Sequence, residues 1–273
     1  MNALAPHPRP AVTTRVARAA RLGRFVSQTL VTWARASRRR VAPGTRAELA
    51  VDCARRTLAV LHVDVTIRGE ALLERGPVLV VANHVSWLDV HVLNALGCAR
   101  FVAKAEVGRW PIVGPIAAAF GTLFIVRGNC RDAARVKDAI AAALRRGERV
   151  VVFPEGTTTD GTRVGGFYPA LLQAAIDAGA PVQPVALRYI GPDGEPDPAA
   201  PFVDDMSFAE SLTRILARPQ IAATVHVAPP FAVSYSTRRD LAFATRRWIT
   251  AALLLEDAPQ PEPRRREHPR RAA

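Results

Sequence analysis

The chain has 273 residues, and its apolar and charged fractions of 49% and 22% exclude a wholly disordered protein. Three cysteines without CxxC spacing exclude a disulfide framework and a zinc ribbon, and are typical of a reducing compartment. The net charge is +13, but residues 1–46 hold ten arginines and no acidic residue, so the body is nearly neutral. Such a basic arm attracts polyanions, either nucleic acid or an anionic membrane surface. We expect no signal peptide, since no apolar run with a cleavage site begins the chain.

The arm has a helical pattern of apolar residues. They recur every three or four positions at Leu22, Phe25, Val26, Leu30 and Trp33, among arginines. We therefore predict basic amphipathic helices over 1–60, forming a membrane-associating hairpin. A surface helix that packs its apolar face on the body fits the same pattern. A nucleic-acid arm would not need aromatic residues on one face, so we expect no nucleic-acid partner.

A second apolar stretch runs over 17 uncharged residues from Trp110 to Val126. Its length lies at the lower limit for a membrane span. Pro111 and Gly114 interrupt it, which favours a short helix to Phe120 followed by a strand. We predict no transmembrane helix here.

Strands and helices alternate along the rest of the chain. The predicted strands are 62–68, 77–82, 100–104, 122–126, 149–153, 182–189 and 221–228. The predicted helices between and after them are 87–97, 110–120, 131–146, 168–179, 207–217 and 237–255. Continuous β-branched runs alternating with helices predict an α/β domain over 61–255, with a mixed, mostly parallel sheet flanked by helices. The Pro- and Arg-rich tail, 256–273, is predicted to be disordered.

One motif, NHVSWLD, follows the strand at 77–82, at the edge where open α/β sheets bind ligands. Asp89 could accept a hydrogen bond from one nitrogen of His84 and leave the other free as a base. Ser86 is predicted to cap the following helix, and a plain capping box is the alternative explanation of the motif. A metal site of His84, Asp89 and His91 lacks further ligands, so we expect none.

Three other strand ends carry polar residues. Arg127 ends the strand GTLFIV and suits recognition of phosphate or carboxylate, although an ordinary flanking arginine is the alternative. In FPEGTTT, Glu155, Gly156 and Thr157 follow the strand at 149–153; a simple turn is the alternative there. Lys104 ends the strand at 100–104. We expect these groups to converge along one edge of the sheet. GxSxG, GxGxxG, phosphate-loop and HExxH motifs do not occur in the sequence.

The order of these blocks resembles the lysophosphatidic acid acyltransferase family of glycerolipid acyltransferases. NHVSWLD, FVAK with Pro111 and Gly114 after it, GTLFIVR, FPEGTTT and APVQPVAL stand in that family's order over roughly 75–190. The resemblance implies an acyltransferase with an α/β fold preceded by membrane-associating helices. One departure is Thr158, which stands where many members place an arginine.

In the family pattern His84 would be the catalytic base and Asp89 its orienting partner. Arg127 and Lys104 would contact the acceptor, and a loop made of Glu155, Gly156 and Thr157 would shape its site. The implied reaction moves an acyl group from a coenzyme A or acyl carrier protein thioester to a lysolipid, without a cofactor. The expected acceptor is 1-acylglycerol-3-phosphate, and lyso-ornithine lipid is the alternative. We expect a peripheral or monotopic protein at an anionic membrane, on the cytoplasmic face of the inner membrane. A non-catalytic membrane adaptor is the competing hypothesis.

Overall fold

The structure, a computed structural model, describes residues 15–36, 43–69, 76–97, 100–191, 193–203, 205–234 and 236–254. The predicted disordered tail, 256–273, lies outside these residues.

Seven strands form one sheet, and each of the seven predicted strands is present within two residues of its predicted ends. They are β1 (Val63–Gly69), β2 (Val78–Ala82), β3 (Arg100–Lys104), β4 (Leu123–Ile125), β5 (Arg149–Val152), β6 (Val182–Ile190) and β7 (Ile221–Val227). Their spatial order is β1-β7-β6-β2-β5-β3-β4. Only the β6–β7 pair is antiparallel among the pairs described, so the predicted mixed, mostly parallel sheet is confirmed.

Eight α-helices accompany the sheet in the described part of the chain. They are α1 (Arg15–Ala36), α2 (Pro43–Leu61), α3 (Leu88–Ala95), α4 (Val113–Ala119), α5 (Cys130–Arg145), α6 (Gln173–Ala178), α7 (Phe208–Ala217) and α8 (Arg238–Leu254). Residues of β2 alternate between two cores. Val78 and Val80 pack with α2, α3 and α7, whereas Leu79 and Val81 pack with α5, α6 and α8. The sheet therefore lies between two helical layers, as its apolar strands require.

Two predicted helices begin at least three residues later than expected, and the helix predicted over 87–97 ends two residues early, at Ala95. The helix predicted over 168–179 is a 3₁₀ turn, Ala170–Leu172, followed by α6. The helix predicted over 110–120 begins only at Val113, because Ile112 takes a φ of +66° that no helix accommodates. Gly114 is required beside this turn, since a Cβ there would lie 2.2 Å from the carbonyl oxygen of Gly108.

Helix α1 packs on the body through a polar face. Arg21, only 4% exposed, reaches the carboxyl ends of both α2 and α7. Its guanidinium donates to four carbonyls, those of Val60, Leu61, Leu216 and Arg218. Gln28 of the same face donates to the Cys53 carbonyl and to the Thr57 hydroxyl of α2. A cation at a helix carboxyl end is favourable, and Arg21 serves two such ends at once.

The alternative interpretation, in which α1 packs its apolar face on the body, is wrong for most of that face. Phe25 contacts the rings of Trp87 and Phe208. The other four predicted apolar residues stay between 41% and 46% exposed; they are Leu22, Val26, Leu30 and Trp33. None of the described helices has the length and hydropathy needed to cross a bilayer.

Candidate active site

The predicted site residues follow four parallel strands that lie side by side. His84 follows β2, Glu155 follows β5, Lys104 ends β3 and Arg127 follows β4. Since β2, β5, β3 and β4 are parallel and adjacent, their carboxyl ends meet at one edge of the sheet. The fold thus brings the four groups to the same edge.

His84 and Asp89 form a hydrogen-bonded pair at this edge. Nδ1 of His84 lies 2.7 Å from Oδ2 of Asp89. The His84 side chain is 21% exposed, whereas the Asp89 side chain is fully buried. A carboxylate only accepts hydrogen bonds, so the neutral imidazole carries its proton on Nδ1 and has Nε2 as its acceptor. The ring of Phe153 stacks on the imidazole at 4.0 Å between centroids.

The Asp89 carboxylate is held by further donors on both of its oxygens. Oδ2 accepts from the backbone N–H groups of Val85 and Ser86 at 2.8 and 2.9 Å. Oδ1 accepts from the Tyr189 hydroxyl at 2.7 Å. These bonds fix the carboxylate plane, and with it the direction in which His84 is held.

The predicted capping role of Ser86 is one residue out of register. Helix α3 begins at Leu88, so Trp87 is the cap position, and its side chain makes no capping bond. The Ser86 hydroxyl accepts from the Leu88 N–H at 3.3 Å and is fully buried. A buried hydroxyl of this kind is not placed to act as a nucleophile.

The FPEGTTT segment clamps the backbone of His84 from two directions. Glu155 Oε1 accepts from the His84 N–H at 2.7 Å, and the Thr159 N–H donates to the His84 carbonyl at 2.8 Å. The second Glu155 oxygen accepts from the Gly165 N–H at 2.6 Å. Burial raises the pKa of Glu155, and these two backbone donors oppose the rise. Glu155 is therefore a positioning group for His84, and its predicted contact with substrate stays a prediction.

Two cations lie together at the far end of the edge. Lys104 pairs in register with Ile125, two residues before Arg127. Partial burial lowers the pKa of Lys104 and the Arg127 charge lowers it further, whereas Glu106 raises it. Partial burial also lowers the pKa of Arg127, against the influence of Glu106 and Tyr168. Both cationic side chains are exposed at this edge.

Tyr168 connects the cation pair with the FPEGTTT segment. A Cβ at Gly156 would lie 3.4 Å from the Tyr168 ring, and the φ of +68° at Gly156 is one that glycine adopts without strain. The neighbouring Thr157 is exposed. Tyr168 acts electrostatically on Arg127, so the third block and the arginine border one surface.

The separation of His84 and Arg127 is larger than the sequence order indicates. Along the chain only β3 comes between β2 and β4, but in the sheet both β5 and β3 lie between them. At about 4.8 Å per strand, the two chain segments are about 14 Å apart. The pair could therefore contact one ligand only if that ligand extends along the edge.

A metal centre finds no support among the described residues. No cluster of three histidine, cysteine or acidic side chains suits a metal ion in that part of the chain. His91 instead packs edge-on against Trp87, and burial lowers its pKa to about 4. Its imidazole is neutral at physiological pH.

Comparison with known proteins identifies the class of enzyme. A family model described as Acyltransferase matches residues 64–188. A lyso-ornithine lipid O-acyltransferase of Pseudomonas aeruginosa is 39% identical over 75% of this chain and 78% of its own length. A 1-acyl-sn-glycerol-3-phosphate acyltransferase of Neisseria meningitidis is 37% identical over 67% of this chain and 71% of its own. The chain belongs to the lysophosphatidic acid acyltransferase family.

The fold agrees with that membership. The crystal structure of the lysophosphatidic acid acyltransferase PlsC from Thermotoga maritima matches with a TM-score of 0.64, covering 90% of this chain and 99% of the other. The identity is 18%, so this match concerns the fold alone. The predictions of an acyltransferase and of its α/β architecture are confirmed.

Some functional contacts of this acyltransferase were not predicted from the sequence. Asn83 completes the sheet beyond β2: its amide donates to the Leu187 carbonyl and accepts from the Leu187 N–H, as a backbone unit would. The contact of Thr159 with His84 could have been found from the sequence, because Thr159 belongs to the polar run after FPEG. The contact of Tyr189 had no such local signal, because its hydroxyl donates to Asp89, which lies 100 residues away in the chain.

Proposed function

We propose that this acyltransferase moves a fatty acyl group from a thioester of coenzyme A or acyl carrier protein to the free hydroxyl of a lysolipid. One observation carries the proposal: a partly exposed imidazole with its Nδ1 held 2.7 Å from a buried carboxylate. This arrangement leaves Nε2 available to an acceptor hydroxyl. General-base catalysis by a positioned histidine contributes about 10²- to 10⁴-fold in rate.

The proposed reaction is direct transfer. Nε2 of His84 takes the proton as the acceptor oxygen attacks the thioester carbonyl carbon and forms a tetrahedral intermediate. The carbon–sulfur bond then breaks, the new ester is released, and the imidazolium protonates the leaving thiolate. Asp89 stabilises the imidazolium throughout. No acyl group is attached to the protein, in agreement with the burial of Ser86.

We propose 1-acylglycerol-3-phosphate as the acceptor and phosphatidic acid as the product. Arg127 and Lys104 form an exposed cation pair at the same sheet edge as His84, and Arg suits the two-pronged binding of a phosphate. An acceptor bound along this edge would extend from the imidazole towards β4.

Lyso-ornithine lipid is the second candidate acceptor. The 39% identical relative carries that activity in its name, as does a 38% identical protein from Rhodobacter capsulatus over 77% of each chain. Thr158 also supports it, since its hydroxyl bonds to the Phe202 carbonyl where many family members carry an arginine. With one cation fewer, the site favours a headgroup of lower negative charge than phosphate.

The remaining expectations concern where the enzyme works. The exposed apolar residues of α1, together with the arginines of the arm, support attachment to an anionic membrane surface. We propose peripheral or monotopic attachment at the cytoplasmic face of the inner membrane, with no nucleic-acid partner and no cofactor.

The decisive test offers purified protein the two lysolipids separately, each with labelled acyl-coenzyme A or acyl carrier protein. We expect transfer to one of them, and loss of at least 10²-fold in kcat for His84→Ala. His62→Asn is the matched control, since His62 lies outside the site and its φ of +53° is one that asparagine tolerates. Near-normal transfer by His84→Ala, or none by the wild type to either lipid, would overturn the proposal.

A further inference from the structure

The Asp89 carboxylate that holds His84 also has a side-chain partner from outside its own motif. Tyr189 lies on β6, beside β2, and donates its hydroxyl to Asp89 Oδ1 at 2.7 Å. Both side chains are buried, at 3% exposure or less. The two oxygens of Asp89 thus serve different groups: Oδ2 faces the imidazole, and Oδ1 faces the phenol.

We propose that Tyr189 is a positioning residue that sets the basicity of His84 through Asp89. The proposal rests on the proposed function of His84 as the base. It adds a third member to the His84–Asp89 pair, from a strand that lies outside the NHVSWLD motif.

The physical reason is the distribution of negative charge on a buried carboxylate. A hydrogen bond to Oδ1 stabilises the anion, so the carboxylate attracts the Nδ1 proton less strongly. The same bond stops rotation of the carboxylate, because donors then fix both oxygens. Burial raises the pKa of Tyr189 well above 10, and the Asp89 charge and bond raise it further, so the phenol remains a donor at working pH.

Other groups also face the imidazole. Asp89 faces it from α3, and Glu155 faces it from the segment after β5 and interacts electrostatically with both members of the pair. Phe153 covers one face of the ring and carries no charge. Tyr189 reaches the pair through a neutral hydroxyl, so its replacement by phenylalanine removes a hydrogen bond to Asp89 without removing a charge.

The test compares the wild type with Tyr189→Phe in two measurements. The first follows the His84 imidazole by nuclear magnetic resonance of ¹⁵N-histidine-labelled protein during a pH titration. The second is the pH profile of kcat/KM. Loss of the phenol should raise the His84 pKa, and with it the acidic limb of the profile, by about 0.5–1 pH unit. We expect kcat to fall by roughly tenfold, with KM unchanged for both substrates.

Two further variants separate this effect from a general loss of packing. Thr245→Val removes another buried hydroxyl, one that donates to Leu241 within α8, and should leave both titrations unchanged. Site-specific replacement of Tyr189 by 3-fluorotyrosine, a stronger donor, should move the His84 pKa downwards. An unchanged His84 pKa in Tyr189→Phe, or shifts of the same sign in both Tyr189 variants, would overturn the proposal.

The two measurements also distinguish this proposal from the one it rests on. If the His84 resonance shifts as expected while the rate profile does not follow the His84 titration, Tyr189 does tune the pair. The role of His84 as the base would then be wrong.

Discussion

The backbone N–H of His84 donates to Glu155 Oε1 at 2.7 Å, and this bond joins two sequence blocks that lie 71 residues apart. Glu155 accepts from Gly165 with its other oxygen, so both of its oxygens serve the backbone. The FPEGTTT block thereby positions His84, the proposed base of the first block, in addition to any contact with substrate.

Replacing Glu155 tests this positioning role. Glu155→Ala leaves two partly buried N–H donors without this acceptor, and each should cost on the order of 1 kcal/mol of unfolding free energy. Glu155→Gln keeps one acceptor and should be intermediate in both stability and kcat. Urea denaturation and steady-state kinetics measure the two quantities. Glu210→Gln, at an exposed ion pair of α7, is the control and should change stability by no more than about 0.5 kcal/mol. Equal behaviour of Glu155→Ala and wild type would contradict the role.

The cation pair predicts an effect on acceptor binding. Arg127→Ala should raise KM for the lysolipid by about 10- to 100-fold, because a charge-assisted hydrogen bond to the headgroup is lost. The value of kcat should change little, since Arg127 follows the fourth strand of the site and His84 the first. Arg145→Ala, an exposed arginine at the end of α5, is the matched control. An unchanged KM for Arg127→Ala would exclude headgroup binding by this residue.

The Lys104 charge predicts a pH dependence of the same binding step. The pKa of Lys104 is lowered from 10.5, by burial first and by Arg127 second. The lysine is therefore charged at low pH and loses its charge as the pH rises through a pKa that lies below 10.5. Lysolipid binding should weaken as the pH rises through that lowered pKa. Arg127→Ala removes the repelling charge and should move the transition to higher pH. Equilibrium binding of the lysolipid to the His84→Ala protein without acyl donor, so that no transfer occurs, measures this directly. A transition that does not move would show that the two cations are uncoupled.

Arg21 predicts a large effect on stability from a residue outside the site. Arg21→Ala removes four hydrogen bonds to carbonyls at the ends of α2 and α7, and should lower the unfolding free energy by about 2–4 kcal/mol. Arg21→Lys should recover only part of this, because one ammonium group cannot span two helix ends as a guanidinium does. Arg24→Ala removes an exposed arginine one turn away and should be nearly neutral. A loss equal to that of Arg24→Ala would show that the Arg21 bonds contribute nothing.

Local chemistry explains why the strands and the His84–Asp89 pair were predictable. Buried β-branched runs bounded by polar residues define a strand without reference to the rest of the chain. The five-residue spacing from His84 to Asp89 likewise determines a strand end and a first helical turn. The distance to Arg127 was not predictable, because it depends on β5 and β3 inserting between β2 and β4.

The orientation of α1 could not be decided from the sequence, for a related reason. Its apolar periodicity predicted which residues share a face, but that face suited a membrane surface and the body of the protein equally well. The side that packs is instead decided by Arg21, whose carbonyl partners lie 39 to 197 residues away. A buried arginine that satisfies several helix-end carbonyls has no local signal in the sequence.

The exposed side of α1 supplies a prediction about membrane attachment. Replacing Leu22, Val26, Leu30 and Trp33 together by glutamine keeps helix propensity but removes the apolar stripe. Binding to phosphatidylcholine vesicles that contain phosphatidylglycerol should fall by at least tenfold, measured by co-sedimentation, because each apolar side chain contributes on the order of 1 kcal/mol. Phe243 is a 69% exposed aromatic residue on α8, and the control variant Phe243→Gln should bind as the wild type does.

If the variant with all four replacements in α1 also binds as the wild type does, α1 is not the attachment surface. If it still catalyses acyl transfer to a detergent-dispersed lysolipid, its loss of vesicle binding reports the membrane contact and not the fold, because Arg21 and Phe25 still hold α1 on the body.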